Sequence, residues 1–312
     1  MVRGDELSQG MDVRQLQSIR FNALGTYVDL ACAQEVDMNL VRYSLLEKVR
    51  HLDEVASCYR ADSEIRRLYE ATLAEDRETC FEVSESLWWL LSKAEEAKQI
   101  THGLLDVGKG GVLAKEYEIE DPGSVDVQGY VELTHTPMLV RLGRATLIDL
   151  HSLGKAYWAE RCASELSVEF QRDVLVGLGG DISVSSTTGS TYFPIAIPKD
   201  GRSLYQSGDD IVCMSHGGVA TSTKNSRRVY YSSGEVMHHI FDPRTLRPSS
   251  KGADVATVIG RSTGMCNVLS LMSLIDTEMA MSAIDSLGYS ARLMVDDSPT
   301  FVGEFLEEVQ ES

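Results

Sequence analysis

The sequence predicts an α+β protein, and three observations support this class. Strand-like segments occur in runs, with helical segments inserted between the runs. The 312 residues are 43% hydrophobic and 24% charged, a composition typical of a globular chain that forms one large or two modest domains. The sequence contains no internal repeat and no low-complexity tract. A doubly wound sheet is disfavoured, because it requires strands and helices to alternate regularly.

Local signals place strands and helices in the first half of the chain. Apolar and polar residues alternate around Ala23-Leu24-Gly25-Thr26, and later apolar residues recur at helical spacing. Ser84 or Ser86 is suited to cap the helix that carries Trp88 and Trp89, which we assign to the core. The predicted elements are strands within residues 18–33 and helices over 40–58, from Asp62 and over 87–100.

The second half mixes strands with helices. The strand over 174–178 is closed by Gly179-Gly180-Asp181, and the next two strands, 182–186 and 192–197, are expected to pair across a Thr-Thr-Gly turn. The other predicted elements are strands over 147–150, 211–214, 228–232, 255–260 and 291–295, and helices over 154–166, 264–275 and 277–287.

We expect one two-lobed domain over residues 18–300. Residues 1–17 are assigned to a flexible N-terminal tail and residues 301–312 to a C-terminal tail. The lobe boundary is predicted near residues 120–140, where polar and turn-forming residues follow a Gly-rich segment.

Charge and cysteine content narrow the class of partner. There are 29 Lys and Arg against 47 Asp and Glu, so the net charge is 29 − 47 = −18, which disfavours nucleic acid and anionic membranes. An anionic ligand therefore needs a local basic pocket. Six scattered cysteines without a CxxC pair indicate reduced thiols. The N-terminus is polar and no apolar run approaches the roughly 20 residues that span a bilayer, so we expect a cytoplasmic protein.

The segment from His238 to Thr245 combines two imidazoles, a carboxylate and a guanidinium at the end of an expected strand. A turn at 232–235 precedes that strand. Such a cluster suits proton transfer and anion binding, and loops on a rigid scaffold are where binding groups concentrate. The alternative is that the two histidines are ordinary polar surface.

Two other segments are candidates for phosphate binding. Asp149 precedes a helix whose first turn carries Lys155, where free backbone N–H groups and the ammonium can receive a phosphate. The glycines of 177–180 let the backbone approach a ligand, but they do not open a helix and so do not form a dinucleotide fingerprint. A solvated lysine and a plain tight turn explain the two segments equally well.

A third segment forms a basic island in this acidic chain. Residues 215–222 are small or hydroxylated, and Lys224, Arg227 and Arg228 follow them. Hydroxyls, backbone N–H groups and a guanidinium together can bind phosphate oxygens. Alternatively, the arginine pair protects the edge of a strand.

The order of these motifs is distinctive. In sequence they are Ala23-Leu24-Gly25-Thr26, Asp149-Leu150 with Lys155-Ala156-Tyr157, Leu178-Gly179-Gly180-Asp181-Ile182, Val219-Ala220-Thr221-Ser222 with Arg227-Arg228, and the segment from His238. In order and rough spacing the chain resembles the FAD:protein FMN transferases of the ApbE family from about Arg20 to Val295. The resemblance is most specific over residues 148–182 and 215–248.

The resemblance implies a T-fold-like α+β architecture with mixed or antiparallel sheets, packed helices, FAD in a cleft between lobes and magnesium at its pyrophosphate. Members of the family move FMN from FAD onto a Ser or Thr of a partner flavoprotein and release AMP. Carried onto this chain, the catalytic candidates are His239 as base, Asp242 and Lys155. The residues implied to contact the cofactor are Leu24, Gly25, Thr26, Asp106, Lys155, Gly179, Gly180, Asp181, Thr221, Ser222 and Arg227.

The metal signature of the family is altered in this chain. The family has an Ala-Asp pair, a Thr one helical turn later and a backbone carbonyl before the motif lysine. The corresponding residues here are Cys266-Asn267, Leu271 and Gly154, and Ser270 is a candidate replacement oxygen on the same helix face. Mg²⁺ prefers hard, often charged oxygen ligands, so we expect a weakened site.

Three activities remain open at this point: FMN transfer to a cytoplasmic partner, FAD binding without transfer, and FAD hydrolysis to FMN and AMP. Asn267 and Leu271 suggest that transfer has been lost. So does His151-Ser152 in place of the Gly-Gly of the family, because side chains at these positions obstruct a close approach of the backbone to a ligand. Transfer is favoured by the residues that survive in their motifs, namely Lys155, Asp181, Thr221 and His239.

Overall fold

The computed structural model describes residues 2–3, 16–33, 36–119, 122–198, 200–201, 210–225, 228–230 and 236–304. The chain divides into two compact units. Unit 1 comprises residues 1–47, 155–240 and 248–312, and unit 2 comprises residues 48–154 and 241–247. The lobe boundary predicted near 120–140 is therefore misplaced, because the polar segment there lies inside unit 2 and the chain changes unit at 47/48 and 154/155.

Helices and antiparallel sheets confirm the predicted α+β class. The strands are β1 (Val2–Arg3), β2 (Leu16–Ala23), β3 (Thr26–Ala33), β4 (Thr79–Glu82), β5 (Val131–Leu133), β6 (Leu139–Leu142), β7 (Val174–Leu178), β8 (Asp181–Ser185), β9 (Phe193–Ile197), β10 (Asp210–Met214), β11 (Gly217–Thr223), β12 (Arg228–Tyr230), β13 (Val236–His238), β14 (Phe241–Asp242), β15 (Arg247–Pro248), β16 (Val255–Gly260), β17 (Ser290–Val295) and β18 (Ser298–Val302). The α-helices are α1 (Met38–Ala56), α2 (Glu64–Leu73), α3 (Glu85–Ile100), α4 (Gly154–Phe170), α5 (Thr263–Ile275) and α6 (Thr277–Ser286), and 3₁₀ helices lie at Val107–Leu113 and Pro122–Ser124.

An eight-stranded antiparallel sheet forms the centre of unit 1, in the order β18-β17-β16-β11-β8-β7-β3-β2. A three-stranded sheet, β1-β10-β9, belongs to the same unit. The strands extend beyond the predicted domain limits: β2 begins at Leu16, β18 runs to Val302, and Val2–Arg3 pairs with β10. All five residues of β7 are buried, as expected for a central strand covered on both faces.

The two faces of the large sheet have different cover. On one face Val219 and Ile259 share an apolar core with Phe193 and Ile195 of the smaller sheet. On the other face lies α5, which bonds to β11 through a Ser222–Ser270 hydroxyl contact of 2.7 Å. Every residue of α5 is buried, so the polar side chains on this helix must find partners inside the protein.

The predicted pairing of β8 with β9 is wrong. Both edges of β8 are occupied, by β7 and β11, and β9 pairs with β10 in the other sheet. The buried carboxylate of Asp173 accepts hydrogen bonds from Ser186, Thr187 and Thr188, which fixes the Thr-Thr-Gly segment as a turn leaving the sheet. These bonds outweigh the effect of burial, which raises the pKa of Asp173, and hold it at about 2.

Unit 2 contains α2, α3 and the sheet β4-β6-β5. Ser63 and Ser84 cap the two helices, and Ser84 is one of the two caps proposed from the sequence for α3. Trp88 and Trp89 are only half-buried, contrary to their assignment to the core, because the buried face of α3 is formed by leucine and alanine residues.

Residues 147–150 do not form the predicted strand. They are instead held against the 3₁₀ helix, where Asp149 N–H donates to the Val107 carbonyl at 2.8 Å. A Cβ atom on Gly110 would lie 2.5 Å from the Leu147 carbonyl oxygen, so the glycines of this region are required by close packing.

Across the described residues, none of the helices combines the length and apolar character needed to cross a membrane.

Candidate functional site

Three segments that are distant in sequence meet at the turn between β7 and β8. A Cβ atom on Gly179 would lie 3.0 Å from Thr26 Oγ1 and 3.6 Å from Lys155 Cε. Gly179 has φ +67° and Gly180 has φ +105°, values that favour glycine. The structure therefore brings together Thr26, Lys155 and the two glycines, all of which were predicted site residues.

The hairpin before Thr26 has a strained turn. Leu24 and Gly25 both have positive φ, 53° and 66°, as in a type I′ turn. A leucine in this region costs about 1 kcal/mol relative to glycine. The turn fixes where β3 begins and so fixes the position of Thr26.

Asp181, the first residue of β8, is a buried acid with only 6% of its surface exposed. Burial raises its pKa to about 7, although the Lys155 ammonium and the Asn267 amide both lower it. The turn thus carries one cation and one buried carboxyl group, with glycine backbone between Lys155 and Thr26. This combination has the chemistry of an anion-binding site.

Asn267 on α5 extends the cluster into the protein. Its Nδ2 donates to Asp181 Oδ1 at 3.2 Å, while its Oδ1 is buried and has no hydrogen-bond partner among the described residues. Ser270 Oγ donates to the Asn267 carbonyl at 2.9 Å and contacts Ser222 Oγ at 2.7 Å. A chain of buried polar contacts therefore runs from β11 through α5 to Asp181.

These residues do not fit a magnesium ion. Asn267 supplies one neutral oxygen, the Ser270 hydroxyl is already bonded twice, and Leu271 has no ligand atom. Mg²⁺ usually takes at least one carboxylate in near-octahedral geometry. The carboxylate beside Asn267, that of Asp181, instead accepts the Asn267 amide N–H at 3.2 Å. Nowhere in the described part of the chain do three His, Cys, Asp or Glu residues cluster as a metal centre.

Strand alternation separates two neighbouring predicted residues. Ser222 faces α5. Thr221 lies on the opposite face of the sheet, the same face as Val219, and its hydroxyl bonds to that of Thr257 at 2.9 Å. The cluster around Asp181 therefore includes Ser222 but not Thr221. Arg227 lies outside the described residues.

The two adjacent histidines differ in their surroundings. His238 Nε2 bonds to the Ser249 carbonyl at 3.0 Å and its Nδ1 accepts from Ile240 N–H at 3.3 Å. Because a carbonyl only accepts, His238 carries its proton on Nε2, and burial lowers its pKa. Both ring nitrogens of His238 thus bond to the backbone and stabilise the local structure. The half-buried His239 is therefore the candidate base.

Two of the three predicted site residues in unit 2, Asp106 and Asp242, hold local structure. Asp106 caps the 3₁₀ helix through Gly108 N–H at 3.0 Å, and its other oxygen pairs with Lys98 at 3.0 Å. Asp242 accepts from the backbone N–H of Arg244 at 2.9 Å and pairs with its guanidinium at 2.7 Å. Both carboxylates therefore organise turns in unit 2.

Sequence reasoning missed Tyr27. A Cβ atom on Gly180 would lie 3.3 Å from its hydroxyl oxygen. The only signal was its position directly after Thr26, which does not indicate a contact with a turn about 150 residues later in the chain.

This geometry defines an α+β protein whose β7–β8 turn brings together a lysine, a threonine and two glycines. Residues 24–293 match the model of the ApbE family, so the chain belongs to the ApbE family. The chain is 24% identical over 241 residues to the FAD:protein FMN transferase of Haemophilus influenzae, covering 67% of each chain. It is 26% identical over 229 residues to that of Salmonella typhimurium, covering 66% of this chain and 63% of the relative.

Solved structures show the same fold. The flavin transferase ApbE from Vibrio cholerae aligns with a TM-score of 0.73 at 19% identity, covering 93% of this chain and 98% of that one. The ApbE protein from Thermotoga maritima aligns with a TM-score of 0.74 at 20% identity, covering 93% and 97%. The architecture expected from the motifs is therefore confirmed.

Proposed function

We propose that this protein binds FAD and transfers its FMN moiety to the hydroxyl of a Ser or Thr on a partner flavoprotein, with release of AMP. The observation that carries the proposal is the meeting of Thr26, Gly179 and Lys155, three family motifs, at one turn of unit 1. The match to the family over residues 24–293 and the names of the bacterial relatives support the same reaction.

In this proposal the Lys155 ammonium and the backbone N–H group of Gly180 bind the diphosphate of FAD, since the Gly179 N–H already donates to the Tyr27 carbonyl at 3.0 Å. A glycine at 179 leaves space between Thr26 and Lys155 that a side chain would fill. A fixed cation offsets the charge that builds on the phosphate oxygens as the acceptor attacks.

His239 is the proposed base. The acceptor oxygen forms a bond to the FMN phosphorus, the bond from that phosphorus to the bridging oxygen breaks, and AMP leaves with that oxygen. The hydroxyl proton passes to an imidazole nitrogen of His239, because histidine is a side chain suited to proton transfer near neutral pH. The product is a phosphodiester between FMN and the acceptor side chain.

Magnesium, which the family resemblance implies, takes no part in the proposed reaction, because the residues on α5 do not fit a magnesium ion. We propose a cytoplasmic location, supported by the six described cysteines, which form no disulfide bonds with one another. The proposed partners are FAD and an acceptor flavoprotein.

The test is incubation of the purified protein with FAD and a panel of flavoprotein acceptors, with and without Mg²⁺. Transfer predicts AMP release together with an acceptor mass increased by one FMN residue. A His239→Asn variant should lose transfer. His238→Asn is the matched control at the neighbouring position, and its main effect should be a lower free energy of unfolding. Free FMN and AMP without a modified acceptor would indicate hydrolysis, and FAD binding with no AMP would indicate a flavin-binding protein; either result contradicts transfer.

A further inference from the structure

The side-chain amide of Asn267 occupies the position where the family places a carboxylate. It lies on the fully buried helix α5 and retains only 5% of its exposure. Its Nδ2 points at Asp181 Oδ1 at a distance of 3.2 Å. Asn267 therefore presents the positive edge of an amide to the buried acid of the site.

A carboxylate at position 267 would face Asp181 at about the same distance. Two carboxylates this close repel each other strongly when buried, unless a proton or a cation lies between them. The amide removes that repulsion, because one of its N–H groups replaces the interaction that a bridging cation would make. Because the second carboxylate is absent, no metal ion is needed at this position to offset its charge.

The neighbouring hydroxyl oxygens already form hydrogen bonds within the protein. Ser270 Oγ bonds to the Asn267 carbonyl at 2.9 Å and to Ser222 Oγ at 2.7 Å. Ser270 is fully buried, so water does not compete for these hydrogen bonds. Within this cluster, Asn267 Oδ1 is a buried polar atom that lacks a donor among the residues that the structure describes.

We propose that this chain is a metal-independent member of its family, in which Asn267 positions Asp181 directly and its unpaired Oδ1 accepts a hydrogen bond from the bound ligand or from a water that accompanies it. The charge of a diphosphate is then offset by Lys155 and by the backbone N–H group of Gly180. The inference rests on the proposed function only for the identity of the ligand, because cation binding is measured without FAD.

The decisive experiment titrates the chelator-treated, FAD-free protein with Mn²⁺ alone and follows bound metal by electron paramagnetic resonance. The wild type is expected to show no one-site binding below millimolar Mn²⁺. Asn267→Asp restores a carboxylate beside Asp181 and is expected to bind Mn²⁺ at least about tenfold more tightly. Asn39→Asp, on the exposed start of α1, makes the same charge change away from the site and should behave as the wild type.

A thermal-shift arm distinguishes a bridging metal from surface binding. Asn267→Asp should unfold at a lower temperature than the wild type in chelator and recover when Mg²⁺ is added. Neither the wild type nor Asn39→Asp should respond to Mg²⁺ in this way.

One-site Mn²⁺ binding by the wild type at micromolar concentration would overturn the inference, as would Asn267→Asp binding no better than Asn39→Asp. If Asn267→Asp does not fold, the wild-type titration still decides. FAD titration in chelator, followed by flavin fluorescence, provides the second readout: affinity unchanged by chelator supports the inference, and affinity restored only by Mg²⁺ contradicts it. Absence of FAD binding under every condition would refute the proposed function while leaving the Mn²⁺ result intact.

Discussion

Replacement of Gly179 by alanine tests whether the turn between β7 and β8 receives the ligand. Gly189 provides a matched control, because its φ of +70° is close to the +67° of Gly179. An alanine in this region costs about 1 kcal/mol of strain, so both variants should lose at least that much stability. The two sites differ in the space around the added Cβ atom. No atom of the described part of the chain lies within 4 Å of a Cβ on Gly189, whereas a Cβ on Gly179 lies 3.0 Å from Thr26 Oγ1.

Crowding against Thr26 should add about 1 kcal/mol to the loss of stability in Gly179→Ala. The same methyl group fills the proposed diphosphate site, so FAD affinity should fall at least about tenfold, equivalent to about 1.4 kcal/mol. Gly189→Ala should bind FAD as the wild type does. Urea unfolding measures the first effect and flavin fluorescence titration the second. Equal FAD affinity in the two variants would refute the assignment of the turn as the ligand site.

Lys155→Met should weaken FAD binding by at least about tenfold, because it removes the cation at the turn, while the exposed Lys115→Met should not; equal affinities in a fluorescence titration would contradict this role. Leu24→Gly should raise the free energy of unfolding by about 1 kcal/mol, because it relieves the positive φ of 53°; a less stable variant in urea would show that the leucine side chain matters more than its strain. Asp173→Asn should destabilise the protein near neutral pH. Since the pKa of Asp173 is lowered to about 2, its contribution is present above its unfolded pKa and is lost as pH falls through about 2, so the two unfolding curves should converge in acid; a difference independent of pH would exclude this origin.

Sequence-local signals were reliable guides to this fold. Ser84 caps α3, and the two helices predicted over 264–275 and 277–287 are α5 and α6, because capping and apolar periodicity act within a few residues. Pairing partners are set by distant residues and were less predictable. The β8 and β9 strands were placed correctly but do not pair, since the bonds of Asp173 direct the chain between them into another sheet.

The site shows the same division. Lys155, Gly179 and Asp181 were predicted from motif order and meet in space. Thr221 was predicted with Ser222, yet adjacent residues of a strand face opposite sides, and the sequence alone did not indicate which side faces α5. The contact from Asn267 to Asp181 joins residues 86 positions apart and follows only from the packing of α5 on the sheet.

A structure of the protein with FAD bound tests the central claim most directly. We expect diphosphate oxygens at hydrogen-bonding distance, about 3 Å, from Lys155 Nζ and from the backbone N–H group of Gly180. The Asn267 Oδ1 atom should then have a donor, either from the ligand or from an ordered water. FAD bound with its diphosphate away from Lys155 and the glycine turn would contradict the account.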